Sequence, residues 1–280
     1  MIRLIVIDLD GTLLDNEKKI SKENEDAIRL ALSMGVAVSI STGRSYVSGH
    51  EYVEQLGIDV PVSYQNGALV TFGHGEEIEI ISKSLLEASR ARLIYTRAKE
   101  KSLNILVFYD FFRLPDISTV CPSDAPYREY YRHNKYRMIF EDDPLARISD
   151  EGIPEIALEG KESIIKEFLF ESNSHLDNVT VVKNDSVEEH AFYEFFGPGV
   201  GKENGLEHVL DHLNLDWSSV AYIGDNFNDL EILKRAELPV VMANGPDEVK
   251  RHATLVTTRD NNNCGVSEAI NSILKIRGEK

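Results

Sequence analysis

Short apolar runs that stop dead at reactive polar groups mark both ends of this chain. Leu4-Ile5-Val6-Ile7 runs into Asp8-Leu9-Asp10-Gly11, Val36 to Ile40 into Ser41-Thr42-Gly43-Arg44, and Val220 to Ile223 into Gly224-Asp225. Apolar runs of this length without polar alternation predict strands buried on both faces, as in a parallel sheet. Helical spacing fills the gaps. Ser21 is placed to cap a helix whose stripe includes Ile28, Ala31 and Leu32, with Gly35 after its end. A second helix carries Val47, His50, Val53 and Leu56, followed by Gly57. The same rhythm returns at Lys202, with a helix from about Glu203 to Leu213, a strand at Val220, a short strand from Leu238 to Met242, and helices after it, the last from Val266 to Ile276. Strand alternating with helix predicts an α/β fold with a doubly wound parallel sheet.

Between these ends the pattern changes. A long helix is expected from Ser84 to about Lys101, then a strand from Leu103 to Tyr109. Ile153–Leu158, Val179–Val182 and Ala191–Phe196 read as strands, and Lys161 to about Glu171 as a helix. The stretch from Phe111 to Asp150 holds four of the nine prolines and many aromatics, and its elements cannot be ordered from pattern. The expected organisation is a split core, residues 1–80 plus 197–280, interrupted by an inserted α+β domain, residues 81–196. Gly197-Pro198-Gly199-Val200-Gly201 is read as the loop returning to the core. It resembles a phosphate loop only superficially, since Glu203 stands where that motif needs Ser or Thr.

Composition narrows the function. The 280 residues carry 30 basic and 47 acidic side chains, a net charge of −17. Such an excess of acid argues against nonspecific binding to nucleic acid or anionic lipid. Two cysteines, Cys121 and Cys264, make neither a disulfide framework nor a zinc site. No apolar run approaches a membrane span, and the first one meets Asp8 too soon for a signal peptide, so a cytoplasmic location is expected.

The candidate chemistry sits beyond the carboxyl ends of the expected strands, where open α/β sheets collect ligands. Asp8, Asp10 and Asp225 would repel one another there unless a cation lay between them, and an all-oxygen set favours a hard ion such as Mg²⁺. Thr42 and the backbone N–H groups after Asp8, beginning at Leu9, can bind phosphate oxygens, and Lys202 adds positive charge. Such a site suits phosphoryl transfer, with one carboxylate as nucleophile and a second as acid and base.

These segments resemble the haloacid dehalogenase-like superfamily. Asp8-Leu9-Asp10-Gly11-Thr12-Leu13-Leu14, Ser41-Thr42-Gly43-Arg44, Lys202 and Gly224-Asp225-Asn226-Phe227-Asn228-Asp229 match its four motifs. Tyr64-Gln65-Asn66-Gly67-Ala68, Val241-Met242-Ala243-Asn244-Gly245 and Gly265-Val266 point to its Cof-type phosphatases of subclass IIB, whose Rossmann-like core carries a cap of the C2B type. The resemblance implies Asp8 as nucleophile and Mg²⁺ ligand, and Asp10 as general acid and base with its main-chain carbonyl on the metal. It implies Thr42, Gly43 and Lys202 at the phosphoryl group, Asp225 on Mg²⁺, Asp229 supporting it, Asn228 near the phosphate, and Arg44 and Asn66 close to the substrate. The implied activity is Mg²⁺-dependent hydrolysis of a small phosphorylated metabolite, a sugar phosphate or a phosphorylated cofactor, through a phospho-aspartate, under the inserted domain as a lid. The rivals are a phosphomutase acting on hexose phosphates and a non-catalytic sensor of phosphometabolites. The family places Gly directly after the motif lysine, whereas this chain has Glu203, which either pairs with Lys202 or sits in the first helical turn, where an acid is favoured.

Other motifs have plainer readings. His208 and His212 are spaced as helical zinc ligands, but no third ligand is suggested. Tyr127 to Arg137 is basic and aromatic, and in so acidic a chain it reads first as packing of the insert, next as insert surface facing an anionic substrate, and last as an RNA contact. Asn66-Gly67 reads as a hairpin turn.

Overall fold

In the computed structural model the described residues are 1–73, 75, 77–120 and 126–278, so Cys121 lies outside them. The chain opens with β1 (Leu4–Ile7), α1 (Lys22–Ser33), β2 (Ala37–Ile40), α2 (Tyr46–Leu56), β3 (Val62–Tyr64), β4 (Leu69–Phe72) and β5 (Glu79–Lys83). It continues through α3 (Ala88–Glu100), β6 (Asn104–Phe108), β7 (Ile117–Thr119), α4 (Arg128–His133), β8 (Met138–Phe140), β9 (Glu155–Lys161), α5 (Glu162–Ser172), β10 (Thr180–Val187) and β11 (His190–Phe196). It closes with α6 (Lys202–Leu213), β12 (Val220–Gly224), α7 (Leu230–Arg235), β13 (Leu238–Val241), α8 (Asp247–Lys250), β14 (Leu255–Val256) and α9 (Gly265–Gly278). Two compact units result: residues 1–83 with 201–280, and residues 84–200.

The first unit holds a five-stranded sheet in the order β14-β13-β12-β1-β2, parallel throughout. All four residues of β1 are buried, as the apolar run predicts. Leu4 and Val6 join Val209, Leu210, Tyr222, Ile232 and Val249 in one core cluster. The chain leaves β1 to one side for β2 and later returns on the other side as β12. The order therefore reverses at β1, and the carboxyl ends of β1 and β12 flank the reversal, the place where such sheets bind ligands. Ser21 caps α1 by accepting from the Asn24 N–H (3.2 Å), and Gly57 ends α2 in the left-handed region at φ 63°. Beyond β2, a parallel bridge from Ser41 to Ser63 connects to the antiparallel sheet β3-β4-β5. The turn at Asn66-Gly67 does join β3 to β4, with Gln65 and Asn66 both at positive φ.

The second unit holds a six-stranded sheet, β10-β11-β9-β6-β7-β8, antiparallel except for β7 with β8. Ile94, Tyr95, Val107, Ile156, Phe168 and Phe195 form its main core, with α3 and α5 covering one face. The stretch that pattern could not order becomes β7, α4 and β8. Three residues of its basic and aromatic run pack inward, Tyr127 and Tyr131 joining Phe108 and Phe192 and Arg137, 4% exposed, pairing with the fully buried Asp116 (Nε to Oδ1, 3.0 Å), while Arg128, Arg132, His133, Lys135 and Tyr136 are exposed. The helix expected from Ser84 begins at Ala88, because Leu86 bridges to Ile153 instead. The strand expected at Val179–Val182 runs from Thr180 to Val187, extended by its hairpin with β11 past an irregularity at Lys183/Asp185.

Candidate active site

Asp8 is the first residue past β1. Its N–H still donates to the Ile223 carbonyl (3.0 Å), which fixes it to the strand ladder, while the N–H groups of Thr12 and Leu14 turn back to the Leu9 carbonyl. Leu9 is fully buried. Gly11 completes this turn at φ +78°, and a Cβ there would stand 2.4 Å from Asp225 Oδ2. Both conformation and space demand glycine.

Asp225 follows β12, one strand over. Thr12 Oγ1 donates to its Oδ1 (2.7 Å). Asp229 lies one short turn later and is saturated. Its Oδ1 accepts from Lys202 Nζ (2.8 Å) and Tyr222 OH (2.6 Å), and its Oδ2 from the N–H groups of Asp225 and Asn226 (both 3.0 Å). Lys202, the first residue of α6, is 2% exposed and also pairs with Asp8 Oδ1 (2.9 Å). The helix reaches this depth because α6 and the β3–β4 turn meet backbone to backbone. A Cβ on Gly67, at φ +95°, would lie 2.3 Å from the Gly201 carbonyl oxygen. Glu203 occupies the first turn of α6, and the partners of Lys202 are Asp8 and Asp229, so the departure from the family pattern leaves the lysine in place.

Among the described residues, Asp8, Asp225 and Asp229 offer carboxylate oxygens within 4.8 Å of one another. Three buried acids face one buried lysine, and the imbalance shows in their ionisation. Burial pushes the Asp8 carboxyl up to about 8, against Lys202 and helped by Asp229 and Asp225. Burial and Asp229 push Asp225 up to about 6 despite Thr12 and Lys202. Burial alone would depress Lys202, but Asp229 and Asp8 outweigh it and hold the ammonium form well above its ordinary value. A divalent cation fits this donor set: Asp8 and Asp225 have oxygens to give, whereas Asp229 has committed both of its own to hydrogen bonds. These committed bonds suit Asp229 to orienting Lys202 and the 225–226 backbone.

A second group of expected residues gathers at the ends of β2 and β3. Thr42 is buried, its N–H donating to the Ser63 carbonyl and its own carbonyl accepting from the Asn66 N–H (both 3.0 Å). Asn66, at φ 52°, accepts at Oδ1 from Asn228 Nδ2 (3.3 Å), and that oxygen also crowds Gly43, lying 3.3 Å from where a Cβ would stand. Thr42, Gly43, Asn66 and Asn228 thus share one locus. Asp10 stands apart from the acid cluster. Arg44 holds it bidentately, Nε to Oδ2 (2.6 Å) and Nη2 to Oδ1 (2.9 Å), and Lys18 Nζ adds a bond to Oδ1 (2.7 Å). Burial would raise its pKa, but Arg44 and Lys18 outweigh it and hold the carboxyl well below its ordinary value. His208 and His212 are exposed on α6, and the His212 ring lies tilted at 51° to that of Phe72, 5.4 Å between centroids.

Some supporting residues were not picked out as site residues from the sequence. Tyr222 lies inside an apolar strand and looks like core, yet its hydroxyl completes Asp229. Asn244, noted only within a family motif, donates to the Gly11 carbonyl (2.8 Å) and accepts from the Asn261 N–H, tying the β13 end to the Asp8 loop.

Fold and site together define an α/β enzyme with a carboxylate and lysine centre at the switch point of a parallel sheet. The family model for haloacid dehalogenase-like hydrolases matches residues 5–270, and the chain belongs to that family. It is a phosphoric monoester hydrolase of the Cof-type branch. Phosphatase YwpJ of Bacillus subtilis is 28% identical, covering 97% of this chain and 100% of its own length. The 5-amino-6-(5-phospho-D-ribitylamino)uracil phosphatase YcsE of the same organism is also 28% identical, over 96% and 94%. A crystal structure of a haloacid dehalogenase-like hydrolase from Bacteroides thetaiotaomicron superposes with a TM-score of 0.82 at 25% identity, over 98% of this chain and 100% of that one.

Proposed function

We propose that the protein is a Mg²⁺-dependent phosphatase that hydrolyses a small phosphorylated metabolite through a phospho-aspartate on Asp8. The observation that carries this reading is the Asp8, Asp225, Asp229 and Lys202 cluster, assembled from three chain segments at one sheet end. The unit formed by residues 1–83 and 201–280 carries the chemistry, and residues 84–200 form the inserted cap domain. A sugar phosphate or a phosphorylated cofactor precursor is the proposed substrate class, the second in keeping with the substrate in the name of the relative YcsE.

Asp8 attacks phosphorus. An oxygen–phosphorus bond forms to its carboxylate, the ester bond breaks, and Asp10, ionised in the resting site, takes up a proton as the anionic ester binds and passes it to the departing oxygen. Water then attacks the acyl phosphate, Asp10 takes the proton, and phosphate leaves with Asp8 restored. Lys202 holds Asp8 in its attacking orientation and balances charge on the phosphoryl group. Thr42, Gly43 and the backbone at Leu9 bind the phosphoryl oxygens, with Asn66 and Asn228 beside them and Arg44 near the leaving group. Asp8, Asp225 and the main-chain carbonyl of Asp10 would hold Mg²⁺, which neutralises the phosphoryl oxygens and the carboxylates when bound.

The test is phosphate release over a panel of metabolite esters, with and without Mg²⁺. Release of free phosphate only with the metal is expected. Isomerised hexose phosphate without release would point to a mutase, and binding without turnover to a sensor.

A stability measurement probes the acid cluster separately. Asp8 and Asp225 have raised pKa values, so the folded protein binds more protons than the unfolded chain across roughly pH 4–8. Their contribution to stability is therefore lost as pH rises through that window. A divalent cation offsets the loss, because it binds the ionised pair. Mg²⁺ is expected to raise the Tm clearly at pH 8 and little at pH 5, measured by thermal unfolding. Equal increments at both pH values would contradict binding at this cluster.

A further inference from the structure

Asp10 sits in a closed ring of interactions that the catalytic reading alone does not require. Arg44, which holds the Asp10 carboxylate, donates from Nη1 to the Tyr52 hydroxyl (3.2 Å) and to the Ser48 carbonyl (3.1 Å). Its guanidinium also lies over the Tyr52 ring, 5.2 Å from the centroid. The Tyr52 hydroxyl donates onward to the Lys18 carbonyl (3.0 Å), and Lys18 Nζ returns to Asp10. Each corner is built. Lys18 is held at φ 62° by a turn in which Asp15 Oδ1 accepts from the N–H groups of Glu17 and Lys19 (both 2.9 Å). Tyr52 is 6% exposed on α2. Arg44 is tied into the phosphate-binding locus as well, its N–H donating to Thr42 Oγ1 (3.1 Å) and its carbonyl accepting from Gln65 (2.8 Å).

We propose that Lys18 and Tyr52 are positioning residues for Asp10, closing with Arg44 a bracket that sets the orientation of the leaving-group carboxylate. The inference rests on the phosphatase reading and deepens it. A lone surface ion pair such as Lys18–Asp10, with side chains 53% and 41% exposed, contributes little by itself. Its weight comes from closure. Tyr52 fixes both the guanidinium and the lysine backbone, so the carboxylate meets a bidentate donor and an ammonium at set angles. Loosening either corner lets Asp10 sample orientations from which it cannot reach the departing oxygen. The attack of Asp8 on phosphorus is untouched, whereas the water step, which also uses Asp10, slows for every ester.

Tyr52→Phe keeps the ring under Arg44 and deletes only the hydroxyl, while Lys18→Met deletes the ammonium. In each, the single-turnover rate of alcohol release from alkyl phosphates, which need a proton on the leaving oxygen, is expected to fall about tenfold. For p-nitrophenyl phosphate, which does not, the single-turnover rate of nitrophenolate release should fall under about twofold, because that release precedes the water step in which Asp10 acts on every ester alike. Lys18→Arg is expected to restore most of the alkyl-ester rate. Equal losses on both kinds of ester, or a change confined to KM, would overturn the proposal. A crystal structure of the Lys18→Met/Tyr52→Phe protein reads the bracket without turnover. Asp10 is expected in more than one orientation, and a single Arg44 pair unchanged from that described above would overturn the bracket. Should the unaltered protein release no phosphate from any ester, the phosphatase reading falls and takes the leaving-group role with it. The crystallographic arm still decides whether the bracket orients Asp10.

Discussion

Asp8→Asn is expected to lower kcat by about 10³-fold or more while the protein stays folded. An amide oxygen is a far weaker nucleophile than a carboxylate, and no other acid of the cluster can replace Asp8. Asp229 has both oxygens committed to hydrogen bonds, and Asp225, held at Oδ1 by Thr12, is proposed to give its other oxygen to the metal. The fold should survive because the substitution removes a charge that burial already disfavours. Asp8 is pushed up to about 8 by its surroundings, so a neutral group of the same shape relieves repulsion with Asp225 and Asp229. Lys202 keeps its bond to Asp229. Metal-free Asp8→Asn should therefore melt no lower than the parent protein at pH 8, and the Tm increment from Mg²⁺ should shrink, since one ligand charge is gone. Phosphate release and thermal unfolding on the same preparation check both halves. Appreciable turnover in this variant would mean that another group attacks phosphorus.

Much of the fold was legible because the chain writes its parallel sheet in an unambiguous way. Strands buried on both faces are mainly apolar, so the break at Asp8, Thr42 or Asp225 marks where backbone emerges at the sheet end. Position in the fold and reactive residue type are then one signal. The same logic explains what was missed. Tyr222 obeys the rule for a buried strand, and nothing in the pattern separates a tyrosine that fills space from one that completes Asp229. Lys18 and Tyr52 lie 34 residues apart and look like a turn lysine and a helix-face aromatic until the α2 packing brings them together. The stretch from 111 to 150 failed for a different reason. Its strands β7 and β8 are three residues each and α4 is six, too short for a period to repeat. What decides its structure is long-range: Asp116 with Arg137, and aromatic packing onto Phe192.

Lys202→Met should be the most destabilising single change in the acid cluster. The ammonium is the one cation bonded to Asp8 and to Asp229 among the described residues, at 1% side-chain exposure. Removing one partner of a buried ion pair leaves the other uncompensated, at a cost of about 3–5 kcal/mol, or roughly 10 °C in Tm for a domain of this size. The sign of its pH dependence follows from the carboxylates. Without Lys202 the raised pKa values of Asp8 and Asp225 rise further, so protons neutralise the pair at pH 5 and the penalty grows as pH rises toward 8 and beyond. The difference in Tm between parent and variant should thus widen as pH rises. Mg²⁺ should recover part of it, because a cation at Asp8 and Asp225 supplies some of the missing charge, but it should not recover turnover, for which Asp8 must be held in its attacking orientation. Unfolding curves at both pH values, with and without Mg²⁺, decide the matter. A Tm within a degree or two of the parent at pH 8 would show that Lys202 does not balance the cluster, and the charge logic assigned to this site would have to be rebuilt around another group.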